Sequence, residues 1–294
     1  MPKPVLILAA ILLVPPWSPP LGAWGRQGHE LVAATALRDL PPRVAAWFSG
    51  REAEVRGHAN DPDDWKLLDP LEHPRHYLHC EPYGGPARVP RARAEAEARL
   101  GPGFQANGQL PWTLLDRVGR LAAAFAAGDS GRAAVEASWL SHYVGDLNVP
   151  MHATVNHNGE RTGQGGVHHR WEMGLLDRLV AGGWRPPVRP AELAKAAPWA
   201  WLEESFRLIP GVLAGDLAAR QEPAGPVRDP DPGPGYWSAY LRLQGGQVQE
   251  QLTLAAQRSA RMILLAWTRA GAPPAPIAAA PVPAGPRSGS GPRP

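Results

Sequence analysis

The sequence predicts an all-α fold, and three observations carry that expectation. From about residue 24 to about residue 271 apolar side chains recur at helix spacing in long runs that end at glycine or proline. No segment of any length alternates apolar and polar residues with period two, so no strand is expected. Glycine (32) and proline (35) are both abundant, which calls for long loops between the helices.

The elements follow in order. Met1-Pro2-Lys3, the apolar run Val5 to Val14 and Leu21-Gly22-Ala23, with a small residue at the cleavage point, have the shape of a secretory signal peptide, with cleavage expected after Ala23. The run is too short to span a bilayer, and no other run approaches that length, so an exported protein without a transmembrane segment is expected. A leader on a cytosolic protein is the plainer alternative. His29–Leu40 reads as a helix stopped by Pro41-Pro42. A long loop is expected over 50–111. Thr113–Ala127 and Ala133–Leu147 read as consecutive helices split at Gly128-Asp129-Ser130-Gly131. After a loop over 150–167, His168–Val180 forms another helix, stopping at Gly182-Gly183. Pro190–Leu213 and Tyr236–Ala270 are the last helices, flanking a loop over 216–235, with a kink or break expected at Gly245-Gly246. Residues 272–294 hold eight prolines with alanine, glycine and serine, and are expected to be a disordered tail. One domain over 24–271 remains.

The net charge of +3 belongs to the ends. Three of the 30 Lys and Arg lie in residues 1–23 and 272–294, which hold no acid, so the middle carries 27 basic and 27 acidic side chains. Composition therefore gives no general pull toward a polyanion. The single cysteine, Cys80, excludes a disulfide framework and a thiolate zinc site, and next to His79 it reads as a small buried hydrophobe. With ten histidines in the chain, imidazole and carboxylate are the available metal ligands.

Two i, i+4 pairs stand out. His142/Asp146 and His168/Glu172 each place an imidazole and a carboxylate on one helix face, a half-site that suits zinc. One such pair is as easily a surface charge pair. Two pairs, with His152 between them just past a helix end, are less easily coincidence. Upstream, His58-Ala59-Asn60-Asp61-Pro62-Asp63-Asp64 offers three carboxylates in what is also ordinary turn chemistry. His73-Pro74-Arg75-His76-Tyr77-Leu78-His79 offers three histidines, any of which could be structural. If cleavage frees Trp24, its α-amine and carbonyl oxygen can chelate a metal, with His29 nearby as a third ligand.

An N-terminal Trp after a leader, a His soon after, an Asp followed by His-Tyr, the stretch His142-Tyr-Val-Gly-Asp-Leu-Asn-Val-Pro-Met-His152, and His168-x-x-Trp-Glu172 together resemble the phospholipase C/P1 nuclease superfamily. Its members are all-helical exported enzymes with three clustered zinc ions. The motifs cover Trp24 to Glu172, with weaker helical similarity to about Ala270. The resemblance implies one metal on the Trp24 amine and carbonyl, His29 and Asp146. It implies a second on Asp61, His76, His142 and a bridging Asp146, and a third on His152, His168 and Glu172. Asp61 is favoured over Asp63 and Asp64 because it stands fifteen residues before His76, as in the nuclease branch. Asp61 is also expected to orient the nucleophile or accept its proton. His58, His73, His79, His157 and His169 match no ligand of the family.

The implied activity is zinc-dependent hydrolysis of a phosphodiester by metal-bound hydroxide, in a monomer. Two substrate classes compete. The Trp24–His29 spacing resembles the single-strand nucleases. The His152–His168 spacing, Glu at 172 and Gln164-Gly-Gly-Val-His168 resemble the phospholipases. Asp64 stands where the nucleases carry Arg, and Gln27, Pro62 and His73 stand where choline-preferring phospholipases carry an acid, a Tyr and a Phe. The core surrounds the scissile phosphate, so phospholipid is the expected substrate, without strong choline selectivity. A single-strand S1/P1-type nuclease is the alternative, and a non-catalytic zinc-binding exported protein the remote one.

Overall fold

A computed structural model describes residues 24–191, 197–221 and 232–276. Six long helices carry the fold: α1 (Gly25–Asp39), α2 (Leu110–Ala126), α3 (Ser130–Leu147), α4, α5 (Pro198–Gln221) and α6 (Pro234–Arg269). Helix α4 is a continuous run of Val167–His169, a π-helical turn Arg170–Gly174 and Leu175–Ala181. No strand occurs among the described residues; Leu78 and Gly108 form an isolated bridge. The all-α expectation holds.

Helix α6 packs against each of the other five. It joins two apolar clusters. One gathers Leu114, Val118, Leu121 and Phe125 of α2 with Leu140 and Val144 of α3, Trp47, Phe48 and the C-terminal half of α6. The other holds Trp24, Trp171, Leu175 and Leu176 against Tyr236, Tyr240 and Val248 of α6. Burial of this many large side chains, at about 1.5–3 kcal/mol each, dominates local propensity, and that explains where the boundaries differ from expectation.

Helix α2 starts three residues before Thr113 because Pro111 is tolerated in a first turn. Helix α3 starts earlier as well, since the Asp129 side chain accepts the Arg132 amide hydrogen at 2.8 Å as an N-cap. Helix α5 is displaced from Pro190–Leu213. Residues before 192 run extended, held by the Ala191 and Arg189 amides donating to the Asp39 carbonyl and carboxylate, each at 2.7 Å. Helix α6 shows no break at Gly245-Gly246: it is continuous over 36 residues. Two helical glycines cost only about 1 kcal/mol each, and packing on five neighbours outweighs that. The segment 50–111 is not bare loop. It contains Glu52–Gly57, Asp61–Trp65 and Arg93–Leu100 as short helices, each too brief to register as periodicity.

The domain extends past residue 271. Pro273 accepts indole N–H bonds from Trp267 at 2.9 Å and Trp47 at 3.3 Å, and Ala272 and Ala275 pack on the core. The expected leader (1–23) and the rest of the expected tail lie outside the described residues. No described helix is long and apolar enough to cross a membrane.

The continuity of α6 predicts that Gly246→Ala, whose added Cβ meets nothing within 4 Å, stabilises the fold by about 0.5–1 kcal/mol. Urea unfolding measures this; a loss of stability would show that the glycine pair serves a bend.

Candidate metal centre

Helix α3 is the spine of the site. It presents His142 and Asp146 one turn apart, both fully buried. Helix α1 brings His29, whose ring stacks on His142 with centroids 3.7 Å apart. The short helix Asp61–Trp65 brings Asp63, and the 3-10 turn His73–His76 brings His76. The 3-10 turn Pro150–Ala153 that follows α3 brings His152, and α4 brings His168 and Glu172. Glu172 lies within the π-turn, a helix distortion often found at functional sites.

Ligand atoms converge in three groups: His29, His142 and Asp146; Asp63, His76 and His142; and His152, His168 and Glu172. Asp146 ties them together. Its Oδ2 lies 2.9 Å from His76 Nδ1 and 3.5 Å from His142 Nε2, and its Oδ1 lies 3.6 Å from His29 Nε2 and 3.9 Å from His152 Nδ1. Asp63 Oδ1 stands 3.6 Å from His142 Nε2 and 3.7 Å from His76 Nδ1. His168 Nε2 and Glu172 Oε2 are 2.7 Å apart.

The surroundings set tautomers. His142 Nδ1 donates to the Ala59 carbonyl at 2.8 Å, which leaves Nε2 as a lone pair facing His76 and the carboxylates. His152 Nδ1 donates to the His76 carbonyl at 2.7 Å, leaving its Nε2 for a ligand. His76 points Nδ1 inward, with Glu72 Oε1 3.4 Å from its Nε2. Glu72 in turn accepts from Tyr143 and from Arg75. The carbonyls behind His142 and His152, and Glu72 near His76, are the outer support that metal-ligating histidines usually have. Gly145 belongs to the same construction: a Cβ there would lie 3.1 Å from His29 Nδ1. Its carbonyl accepts the Trp24 indole N–H at 2.8 Å.

Burial, with smaller contributions from neighbouring cations, holds His76, His142 and His152 well below the ordinary imidazole range, so they are neutral at pH 7, the form that binds metal. Burial first and the Asp63 charge second push Asp146 well above the carboxylate range. Asp146 Oδ1 is buried without a hydrogen-bond donor, while Asp63 Oδ1 has the Lys66 ammonium at 2.6 Å. Acceptor-only carboxylates and outward-supported imidazoles facing one another fit divalent cations, and the groups could hold them.

The structure brings together His29, His76, His142, Asp146, His152, His168 and Glu172 as the sequence suggested. Asp61 is not brought in. Its Oδ2 bonds His58 Nδ1 at 2.7 Å and Trp139 Nε1 at 3.0 Å, and Asp63 takes the inward position. The reason is helical: residues two apart point about 200° away from each other, so only one of the pair can face the centre. Spacing to His76 did not separate them. Trp24 is buried and close, but its backbone nitrogen contacts Glu172, and its carbonyl accepts the Gly28 amide at 3.1 Å as the first bond of α1.

A cavity of about 300 Å³ opens onto His76, His152 and His168. Lys66, Leu67, His73, Tyr77, His79 and His157 also line it. These histidines, unassigned from sequence, therefore surround the mouth of the centre. Burial pulls His79 down to about 4, and its ring stacks on Tyr77. Cys80 is buried, and burial pushes its thiol up, so it is inert packing as expected.

Asp63→Asn is expected to lower metal content and any metal-dependent activity by ten- to a hundredfold, a range typical of perturbed metal sites, while Asp61→Asn leaves metal content unchanged. Metal analysis of the two purified variants decides; loss confined to Asp61→Asn would reverse the assignment. No protein-family model and no curated protein matches the chain, and the chemistry of the centre is read from these side chains.

Proposed function

We propose that the chain is an exported, zinc-dependent phosphodiesterase of the phospholipase C type, with three zinc ions held by Trp24, His29, Asp63, His76, His142, Asp146, His152, His168 and Glu172. The observation that carries this reading is Asp146, whose two carboxylate oxygens face imidazoles from three other chain segments. His142 belongs to two of the ligand groups and Asp146 lies within 4 Å of imidazoles from all three, which suits a cluster of closely spaced cations that a purely structural site seldom needs. A donor set rich in imidazole favours zinc over magnesium or calcium.

Bound zinc supplies a Lewis acid for phosphoryl oxygens and lowers the pKa of water toward neutrality. The side chains do the rest. Asp63, beside Lys66 Nζ at 2.6 Å, takes the role expected of Asp61 and accepts a proton from, or orients, the attacking water. Lys66, on the cavity wall, adds positive charge where a phosphoryl group would sit. Leu67, Tyr77 and Met151 give the same cavity an apolar wall, which suits the glycerol and acyl portion of a phospholipid. The nuclease alternative draws support from Tyr77, whose ring stacks on His79 at 4.7 Å and offers a face for a base. Of the three residues at the choline-box positions, His73 lines this cavity and Gln27 lines a separate recess. Headgroup selectivity is therefore expected to be weak.

Initial rates on short-chain phosphatidylcholine and phosphatidylethanolamine, single-stranded DNA and RNA test the reading. Phospholipid turnover that is lost on chelation and restored by Zn²⁺ is expected. Nucleic acids cleaved at least about tenfold faster, a preference worth about 1.4 kcal/mol, would move the protein to the nuclease reading. No turnover on any substrate at full zinc occupancy would leave a zinc-binding protein.

The Trp24 amine provides a separate test. One residue added before Trp24 is expected to reduce activity by orders of magnitude while helicity survives. Equal activity of the extended and processed forms would remove Trp24 from the ligand set.

A further inference from the structure

Six large apolar side chains are exposed among the described residues, and three of them fall in one five-residue stretch. Leu67, Leu68 and Leu71 are 67%, 85% and 56% exposed. Asp69, between them, turns its carboxylate back to accept the Leu71 amide hydrogen at 2.9 Å, which fixes the turn that presents them. The stretch is a ridge between two recesses. On one side Leu67 and Lys66 line the cavity over His76, His152 and His168. On the other side Leu71 lines a recess of about 200 Å³ together with Arg75, Arg93, Arg117 and Arg120.

That second recess is cationic. Asp116 is the one acidic residue lining it. Beneath the lining, Arg75 pairs with Glu72, Arg93 lies 3.8 Å from Asp116, and Arg117 lies 3.3 Å from Glu136, which also serves Arg132. Arg120 has no ion pair or hydrogen bond among the described residues. Four guanidiniums, including Arg132 outside the recess, thus pair with three carboxylates, and Arg120 is left over. Gln105, Gln109 and Thr113 add hydrogen-bonding groups to the wall.

We propose that the leucine ridge and the arginine recess together dock the protein on an anionic phospholipid surface, with the metal cavity opening toward the lipid. The leucines enter the acyl boundary, and the guanidiniums of Arg75, Arg93 and Arg120 meet lipid phosphates, for which their forked geometry is suited; Arg117 is buried behind them against Glu136. Apolar and cationic groups side by side complement a bilayer, whose anionic phosphates overlie hydrocarbon. A polynucleotide offers phosphates to the arginines but nothing for three exposed leucines. The inference deepens the phospholipid reading and rests on it for its purpose, while its test reads binding without turnover.

The experiment is co-sedimentation of the processed protein, with its N-terminus verified, against two kinds of vesicle. One mixes phosphatidylglycerol into phosphatidylcholine, and the other is phosphatidylcholine alone. A single-stranded oligonucleotide is the third probe. Preferential binding to the anionic vesicles is expected. Leu68→Ser combined with Leu71→Ser is expected to weaken it about tenfold or more, from the apolar area withdrawn. Arg120→Glu is expected to weaken anionic binding about fivefold or more and leave neutral vesicles unaffected. All three positions are exposed, and unchanged melting curves confirm folding. A wild-type protein that does not sediment with anionic vesicles, or variants that bind as wild type does, would overturn the proposal. Oligonucleotide binding that falls in Arg120→Glu, without vesicle binding, would also overturn it and give the recess to nucleic-acid phosphates. Vesicle binding without phospholipid hydrolysis would sustain the docking surface and sink the phospholipase reading.

Discussion

A carboxylate fully buried among imidazoles is the constraint on which the rest of this protein depends. Asp146 is fully buried, and burial first, with the like charges of Asp63 and Glu172, pushes it toward its neutral form, so its ionised form needs a compensating charge. Taking such a charge out of water costs several kcal/mol unless an opposite charge compensates it. The three buried histidines whose burial holds them neutral cannot supply that charge. Divalent cations can, and the three side-chain groups could hold them. The centre is thus a junction: it ties α1, α3, α4 and the 61–76 segment at a place where apolar packing alone would leave a charge stranded.

The scaffold around the junction is built for placement. Each inner imidazole of His76, His142 and His152 is held from behind by a carboxylate or a backbone carbonyl. The small residue at Gly145 lets α1 approach α3 closely enough for His29 to stack on His142. Trp24 fills the space beside it, its ring 5.4 Å from Trp171 and its indole bonded to the same helix. Ligand geometry is therefore set by core packing, and substitutions that leave every ligand in place can still move it.

Around the mouth of the cavity the logic changes from burial to display. His73, His79 and His157 stand at the rim rather than in the three groups that could hold a metal ion, and the leucines of the 67–71 stretch remain in solvent. The exposed leucines beside the histidine-lined cavity belong to neither apolar cluster. They are a feature of the surface, joined to the site through Leu67 and Lys66.

The sequence by itself determined the helical class, most of the long helices and most of the centre. Helix periodicity and i, i+4 geometry are local, so His142 with Asp146, and His168 with Glu172, could be paired on one face from spacing alone. His29 and His152 stood out by position, and the family resemblance singled out His76 among its neighbours and grouped all three as ligands. What the sequence could not decide were choices made by packing between distant segments. Asp61 and Asp63 are chemically alike, and only the rotation of their short helix against α3 determines that Asp63 faces inward. The Gly245-Gly246 pair looks like a break until five packed neighbours keep α6 one continuous helix. The proline-rich stretch after Gly271 looks solvated until the Trp47 and Trp267 indoles are found at Pro273. In each case the residue pattern left two local states within about 1–2 kcal/mol of each other, and tertiary contacts, absent from any local window of sequence, selected between them.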